Sequence, residues 1–452
     1  MHGRTGATPT PAARRRPGGR AVGLGLWVLG GLVLAMTLVR AVPYDGVTPL
    51  AQVVGVTPWV VPLALLVAAT ALVLRRRLLA MLCAVALAVQ VAWVVPRPRP
   101  RRPRLGPPRA RGHGPGGTVS APGLTEERGP CGARRVGGTV WTVVLSLCVA
   151  GVGALTLARA LGLDGVTPFA QLVAVTPWVA LAALVVLLLS LSRRRWVLSA
   201  VAGVLVVAHA VWLVPFFVAG PGIEPGAGGT LRVMATNALY GRADARAVVE
   251  AVRDEKVELL SVVELTDDFE AQLRAAGIED LLPYAWTRTH PTEGAAGSGL
   301  WSATPLTDER DGVASRFHQP SAVVEVDGTS VRVTAVHPHP PTPGAVDLWT
   351  DDLALLRDAA YADPVPQILL GDFNATTDHA AFRDLLGDRF ADATRLAGDG
   401  LNLSWPAGRR YPPLVDLDHV VVDDGMRVGD VGQLAIPGTD HLAILATVQV
   451  TP

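Results

Sequence analysis

Residues able to bind a cation, move a proton or hold a phosphate cluster in the second half of the chain, mostly where an apolar run stops. ILLGDFN at 368–374 ends on Asp372 and Asn374, and LRVMATNA at 231–238 carries Asn237 near its end. VELLSVVEL at 257–265 carries Glu264, and VRVTAVH at 331–337 ends on His337. Asp418 sits in LVDLDHVVV, while Asp440 and His441 open the last apolar run in PGTDHLAIL. Carboxylates, amides and imidazoles converging at strand ends would build a polar site on an apolar scaffold. Hard oxygen donors with no cysteine among them suit Mg²⁺ or Mn²⁺ better than zinc.

The elements that must position these groups follow a tether at 221–230, AGPGIEPGAGGT in its wider context, whose glycines and prolines predict flexibility. The runs at 231–238 and 257–265 read as strands, with a helical apolar rhythm over 243–255 between them. YAWTR, SGLWSA, SAVVEV and VRVTAVH continue the strands, followed by a helix near 347–360 and then QILLGDFN. A short helix at 378–387 precedes LDHVVV and LAILATVQV. Strands outnumber helices, and both alternating and continuous apolar runs occur. The pattern predicts an α/β domain over 231–450, with a two-layered sheet core and helices outside it.

The ordered set Asn237, Glu264, His337, GDFN, Asp418 and TDH resembles the endonuclease/exonuclease/phosphatase superfamily of metal-dependent phosphoesterases. It is similar in particular to bacterial members that carry this domain behind membrane helices. GDFN alone can be a glycine turn capping a strand; with a strand-borne aspartate and a terminal TDH after it, the pattern is specific. The resemblance spans 231–450 and implies a DNase I-like β-sandwich flanked by helices. It implies Glu264 as a metal ligand, Asn237 organising metal and phosphate, and Asp440 binding metal or fixing His441. It further implies Asp372 as the group that orients and deprotonates the attacking water, with Asn374 contacting the phosphate. His441 would donate to a phosphoryl oxygen, Asp418 would orient a catalytic histidine, and His337 would help the leaving group depart. Since alternate side chains of an extended strand face the same way, Asp372 and Asn374 are expected to reach one phosphate together.

Other polar and aromatic residues read more plainly. His339 and His379 are expected to be loop histidines, and His419 to pack. Trp301 suits a core or a rim position equally. Trp405, in the loop NLSWPAGRR, is the better candidate to face substrate; Arg409 and Arg410 would meet a second phosphate or simply face solvent.

The first half is different in kind. Runs at 21–41, 55–74, 78–96, 138–158, 176–192 and 196–220 approach the roughly 20 apolar residues a bilayer crossing needs. They form two copies of three: DGVTPLAQVVGVTPWV at 45–60 returns as DGVTPFAQLVAVTPWV at 164–179, a strict offset of 119. A basic segment at 1–20 precedes the first copy (21–96), and a linker at 97–137 with ten arginines and many prolines precedes the second (138–220). Apart from arginines near their ends, the runs carry no charged residue of the kind a transporter buries, so they read as an anchor in the cell membrane. Arginine clusters precede each copy and follow its second run, at 75–77 and 193–195, and three crossings per copy cannot satisfy them all. The copy nearest the C-terminal domain places that domain outside the cytoplasm; counting six crossings from a cytoplasmic start places it inside. We expect the former.

Charge separates the halves again. The first 223 residues hold 23 arginines against four acids, whereas 224–452 hold 17 basic residues against 35 acidic ones, a net of −18. A domain of that charge, with one lysine, is poorly equipped to displace counterions from extended nucleic acid. The expected partners are therefore the bilayer and a phosphate ester: a lipid headgroup, a phosphorylated envelope intermediate or an external nucleotide. A catalytically inactive ester-binding module on the same anchor would be expected to have lost one of the eight site residues, and none is missing. No cysteine follows residue 223, which excludes a disulfide framework in the C-terminal domain.

Overall fold

The structure, a computed structural model, describes residues 131–290 and 294–451. The expectations for 1–20, 21–96 and nearly all of 97–137 lie outside those residues. Residues 148–452 form one compact unit, made of apolar helices followed by a sandwich.

The helices are α1 (Cys131–Ala160), a short α2 (Phe169–Val173), α3 (Thr176–Ser192) and α4 (Trp196–Leu213), the last running on as a 3₁₀ turn to Phe217. Two stretches of 22 residues, Thr139–Ala160 and Trp196–Phe217, are long and apolar enough to cross a membrane, with mean hydropathy 2.1 and 2.4. Leu157, Val204, Val207 and Val211 are exposed on them and Leu181 and Leu188 on α3, while Val152, Val179 and Ala183 pack between helices. One buried polar residue escapes a count of formal charges. His209 meets Thr156 Oγ1 at 3.1 Å through its Nε2, so the apolar runs include an interhelical polar pair.

The sandwich follows from period-two patterning. One sheet has the order β11 (Arg427–Ala435), β12 (Leu442–Val450), β1 (Gly229–Asn237), β2 (Leu259–Val263), β4 (Ser298–Ser302), β3 (Tyr284–Arg288). The other runs β5 (Thr307–Arg310), β6 (Ser321–Val326), β7 (Thr329–Val336), β8 (Gln367–Asp372), β10 (Asp418–Asp423), β9 (Phe390–Asp392). Alternate residues of the central strands fill the space between the sheets: Leu231, Val233 and Ala235 from β1, Val331, Val333 and Ala335 from β7, Ile368 and Leu370 from β8. The intervening residues face helices. Met234, Leu260 and Trp301 pack under α5 (Ala245–Asp254) and α6 (Asp267–Ala275). Leu369 and Val421 pack under α7 (Val346–Ala362) and α8 (Ala380–Leu386); a last short helix, α9 (Ala393–Ala397), follows β9. Trp301 is fully buried, which assigns it to the core.

The two parts are joined by more than a covalent link. From the last turn of α1, Arg159 Nε meets Asp378 at 2.5 Å, and from the α1–α3 connection Asp164 accepts the Ala380 N–H at 2.6 Å at the start of α8. His379 Nε2 lies 2.7 Å from the Ala170 carbonyl, and Gln171 donates to the Pro341 carbonyl at 2.5 Å. Trp178, at the start of α3, donates its indole N–H to the Leu414 carbonyl at 2.8 Å. The stretch expected as a flexible tether is also held. The Glu224 backbone and the Gln449 amide exchange two hydrogen bonds of 2.9 and 2.7 Å, fastening it to β12.

Candidate active site

The same alternation that builds the inter-sheet core delivers the site. Asn237 lies two residues beyond Ala235, His337 two beyond Ala335 and Asp372 two beyond Leu370, while Asp418 lies two before Val420. Each side chain therefore extends an inward-facing row past its last apolar member, and all four are buried. The sandwich core ends in polar groups at one rim.

Asn237 bridges this rim. Its Nδ2 donates to Glu264 Oε1 and to Asp372 Oδ2, both at 3.0 Å, while its Oδ1 accepts the Leu239 N–H at 2.8 Å. That backbone donor fixes the amide so that nitrogen, not oxygen, faces the carboxylates. Glu264 stands just past β2 in the left-handed region, φ 56°, and its other oxygen takes the Tyr240 N–H at 2.8 Å. His441 Nδ1 meets Asp418 at 2.8 Å, and its Nε2 lies 3.7 Å from Asp372. His337 Nε2 lies 3.9 Å from Asp372 and 4.0 Å from Glu264. Asp440 adjoins His441 in sequence and accepts the Trp405 indole N–H at 3.2 Å, so the loop carrying Trp405 and the half-buried Arg409 docks beside the cluster.

Asp372 and Asn374 do meet, but not by strand alternation. β8 ends at Asp372, and Asn374 turns into the left-handed region, φ 49°, so that its backbone N–H donates to Asp372 Oδ1 at 2.8 Å. Its side chain donates instead to the Pro338 carbonyl at 3.1 Å. An Asx turn, which the sequence pattern leaves unstated, replaces the expected extension. Gly371 has a separate reason: a Cβ there would lie 2.2 Å from the Val336 carbonyl on the neighbouring strand.

Burial and mutual repulsion polarise the titratable groups. Burial, reinforced by the Asp372 charge and opposed by the Asn237 and Tyr240 hydrogen bonds, pushes Glu264 up to about 7. Burial also raises Asp372, with Asp418 adding to it and the two histidines opposing. Burial holds His337 down at about 4. It would lower His441 too, but the Asp418 and Asp372 carboxylates outweigh it and push that imidazole up to about 10.

A crowd of buried carboxylates whose charge is this unfavourable is a fitting seat for a divalent cation. Ligand-type atoms of Asp372, Asp418 and His441 lie within 4.8 Å of one another and could hold one. The Asp418–His441 hydrogen bond already engages that pair, however, whereas Glu264 and Asp372 offer oxygens with only hydrogen-bond donors against them. Oxygen chemistry of this kind matches a hard ion.

Supporting residues, of which only Thr439 belongs to a sequence motif, complete the site. Thr439 donates to the Asn237 carbonyl at 2.7 Å and accepts the His441 N–H at 3.2 Å. Ser404 accepts the backbone N–H of Asp418 at 3.2 Å, and Gln319 that of His337, also at 3.2 Å. His339 stacks on Phe317, whose ring also lies against His337. His379 bonds the backbone at Thr376 and Ala170, and His419 is clamped between Asp392 at 2.7 Å and the Ala375 carbonyl at 2.9 Å. These last two are structural.

The chain thus presents paired, helix-flanked sheets that gather acids, an amide and imidazoles at one rim. A sequence profile of the Endonuclease/Exonuclease/phosphatase family matches residues 234–441. Residues 234–441 are thus similar to that family of phosphoesterases and nucleases. Solved structures similar to it include an endonuclease/exonuclease/phosphatase family protein from Leptotrichia buccalis, 13% identical, TM-score 0.41, covering 49% of this chain and 100% of that one. Another is the endonuclease/exonuclease/phosphatase from Beutenbergia cavernae, 18% identical, TM-score 0.39, covering 49% and 72%. Truncated Caenorhabditis elegans TDP2 is 16% identical, TM-score 0.41, covering 49% and 98%. Among curated proteins, none matches significantly.

Proposed function

We propose that the chain is a membrane-anchored, divalent-metal-dependent phosphoesterase. The observation that carries this reading is the Asn237 amide tying Glu264 to Asp372 at 3.0 Å each, with the Asp418–His441 pair beside them. Asp372 is held by the Asn374 and Asn237 N–H groups so that its carboxylate can orient a water and accept its proton. His441, kept cationic by Asp418, donates to a phosphoryl oxygen as charge develops there. His337, neutral at physiological pH, serves the leaving group through a hydrogen bond rather than by giving up a full proton. Trp405 and Arg409 flank the ester, and Asn374 faces its phosphate. Glu264 and Asp372, with Asp440 as a further carboxylate, would hold Mg²⁺ or Mn²⁺, with Asn237 keeping Glu264 in place; a bound divalent ion supplies neutralisation of the phosphoryl oxygens. The exposed apolar helices support a multi-pass anchor in the cell membrane, and the arginine turn at 193–195 supports an extracytoplasmic catalytic domain.

The test is turnover by the full chain in detergent on simple phosphodiesters and phosphomonoesters, with Mg²⁺, Mn²⁺ or EDTA, beside Asp372→Asn. We expect metal-dependent release that the variant lowers by roughly a thousandfold. A folded parent that binds the ester without turnover would instead make it an inactive binding module.

A further inference from the structure

We infer that the ester cleaved here is carried by a membrane lipid and enters from the bilayer surface, with the loop 405–415 receiving its headgroup. The inference deepens the phosphoesterase reading and rests on it. A tether alone would keep a soluble-substrate enzyme near a membrane. Here, instead, three loops that rim the site are seated on the ends of the apolar helices. The loop after His337 is bound at Pro341 by Gln171, and the loop after Asn374 is bound at Asp378, His379 and Ala380. The loop carrying Trp405 is bound at Leu414 by Trp178. The site mouth is thereby fixed beside the helix ends, where Leu161, Leu163 and Val166 are exposed.

The third loop has the composition of an interfacial reader. It holds the only adjacent pair of cations in 224–452, Arg409 and Arg410, followed by Tyr411. Arg410 and Tyr411 are exposed, a basic and an aromatic side chain suited to the headgroup layer. In a domain of net charge −18, an anionic surface is repelled on the whole, so this loop of paired cations favours where contact occurs. The Trp405 bond to Asp440 connects the same loop to the reacting centre.

The experiment uses the full chain in phosphatidylcholine vesicles. Long-chain phosphatidic acid or phosphatidylglycerol in the bilayer is compared with the same headgroup on short acyl chains dissolved in water. A single-stranded DNA oligonucleotide forms a third arm. We expect kcat/KM for the bilayer-borne ester to exceed that for its dissolved counterpart by about tenfold or more. Arg410→Ala combined with Tyr411→Ser should lower that ratio about fivefold. Equal rates on the two chain lengths, or faster cleavage of DNA than of either lipid, overturns the inference and leaves the phosphoesterase standing. Hydrolysis of none of them overturns both.

Discussion

His337 and His441 lie on opposite sides of neutrality although both are buried beside the same Asp372. The difference is one hydrogen bond: His441 has Asp418 at 2.8 Å, while among the described residues His337 has no carboxylate closer than 3.9 Å. Asp418→Asn should therefore remove the anion that keeps His441 cationic, lowering kcat by about a hundredfold with KM little changed. Steady-state kinetics on any ester the parent cleaves would check this, and an unchanged kcat would remove His441 from the mechanism. Gly371→Ala acts differently, through backbone contact. Its methyl group meets the Val336 carbonyl, so the strand that presents Asp372 must shift; we expect a loss on the order of 3 kcal/mol in denaturant unfolding.

Among the elements, the edge strand β5 depends on charge rather than on packing. Its four residues are all exposed, and it is held because the buried Arg332 on β7 gathers Asp308 from β5 and Asp363 from the end of α7, the latter at 2.5 Å. Burial opposes ionisation of Asp363, but the Val365 N–H and the Arg332 and Arg310 guanidiniums outweigh it and hold its carboxyl below the usual range. A depressed carboxylate stabilises the fold above its unfolded pKa of about 4 and loses that contribution as pH falls through the folded value. Asp363→Asn should cost about 2 kcal/mol at neutral pH, because the buried Arg332 keeps only Asp308 as a carboxylate partner. The gap between variant and parent should narrow below about pH 4 in unfolding curves. Strands of this sort also mark the limit of what could be read from sequence. Central strands such as QILLGD and LAILATVQV declare themselves by apolar runs, whereas β5 (TDER) and β11 (RVGDVGQLA) lack them because an edge buries little. Site residues on inward-facing rows were legible for the same reason that the core was. Ser404, Gln319 and the left-handed turn at Asn374 were not, since their roles arise from partners distant in the chain or from backbone dihedrals.

For the molecule as a whole, the helices and the sandwich are parts of one device. Asp164, in the α1–α3 connection, caps α8 immediately after the loop that follows Asn374. Asp164→Ala should cost about 1 kcal/mol and speed amide exchange over 376–386, measurable by hydrogen exchange on the full chain. Unchanged protection there would mean that the connection merely touches the loop. The charge split adds an expectation about competitors: at physiological salt, single-stranded DNA should not inhibit ester hydrolysis, as rates with and without an oligonucleotide would show. The bond from Trp178 to the Leu414 carbonyl fixes the site at one height over the helix ends. On the proposed bilayer-borne ester, an enzyme so held samples substrate per unit area, not per unit volume. Adding inert lipid at constant total substrate should then slow it, although nothing in the surrounding solution has become more dilute.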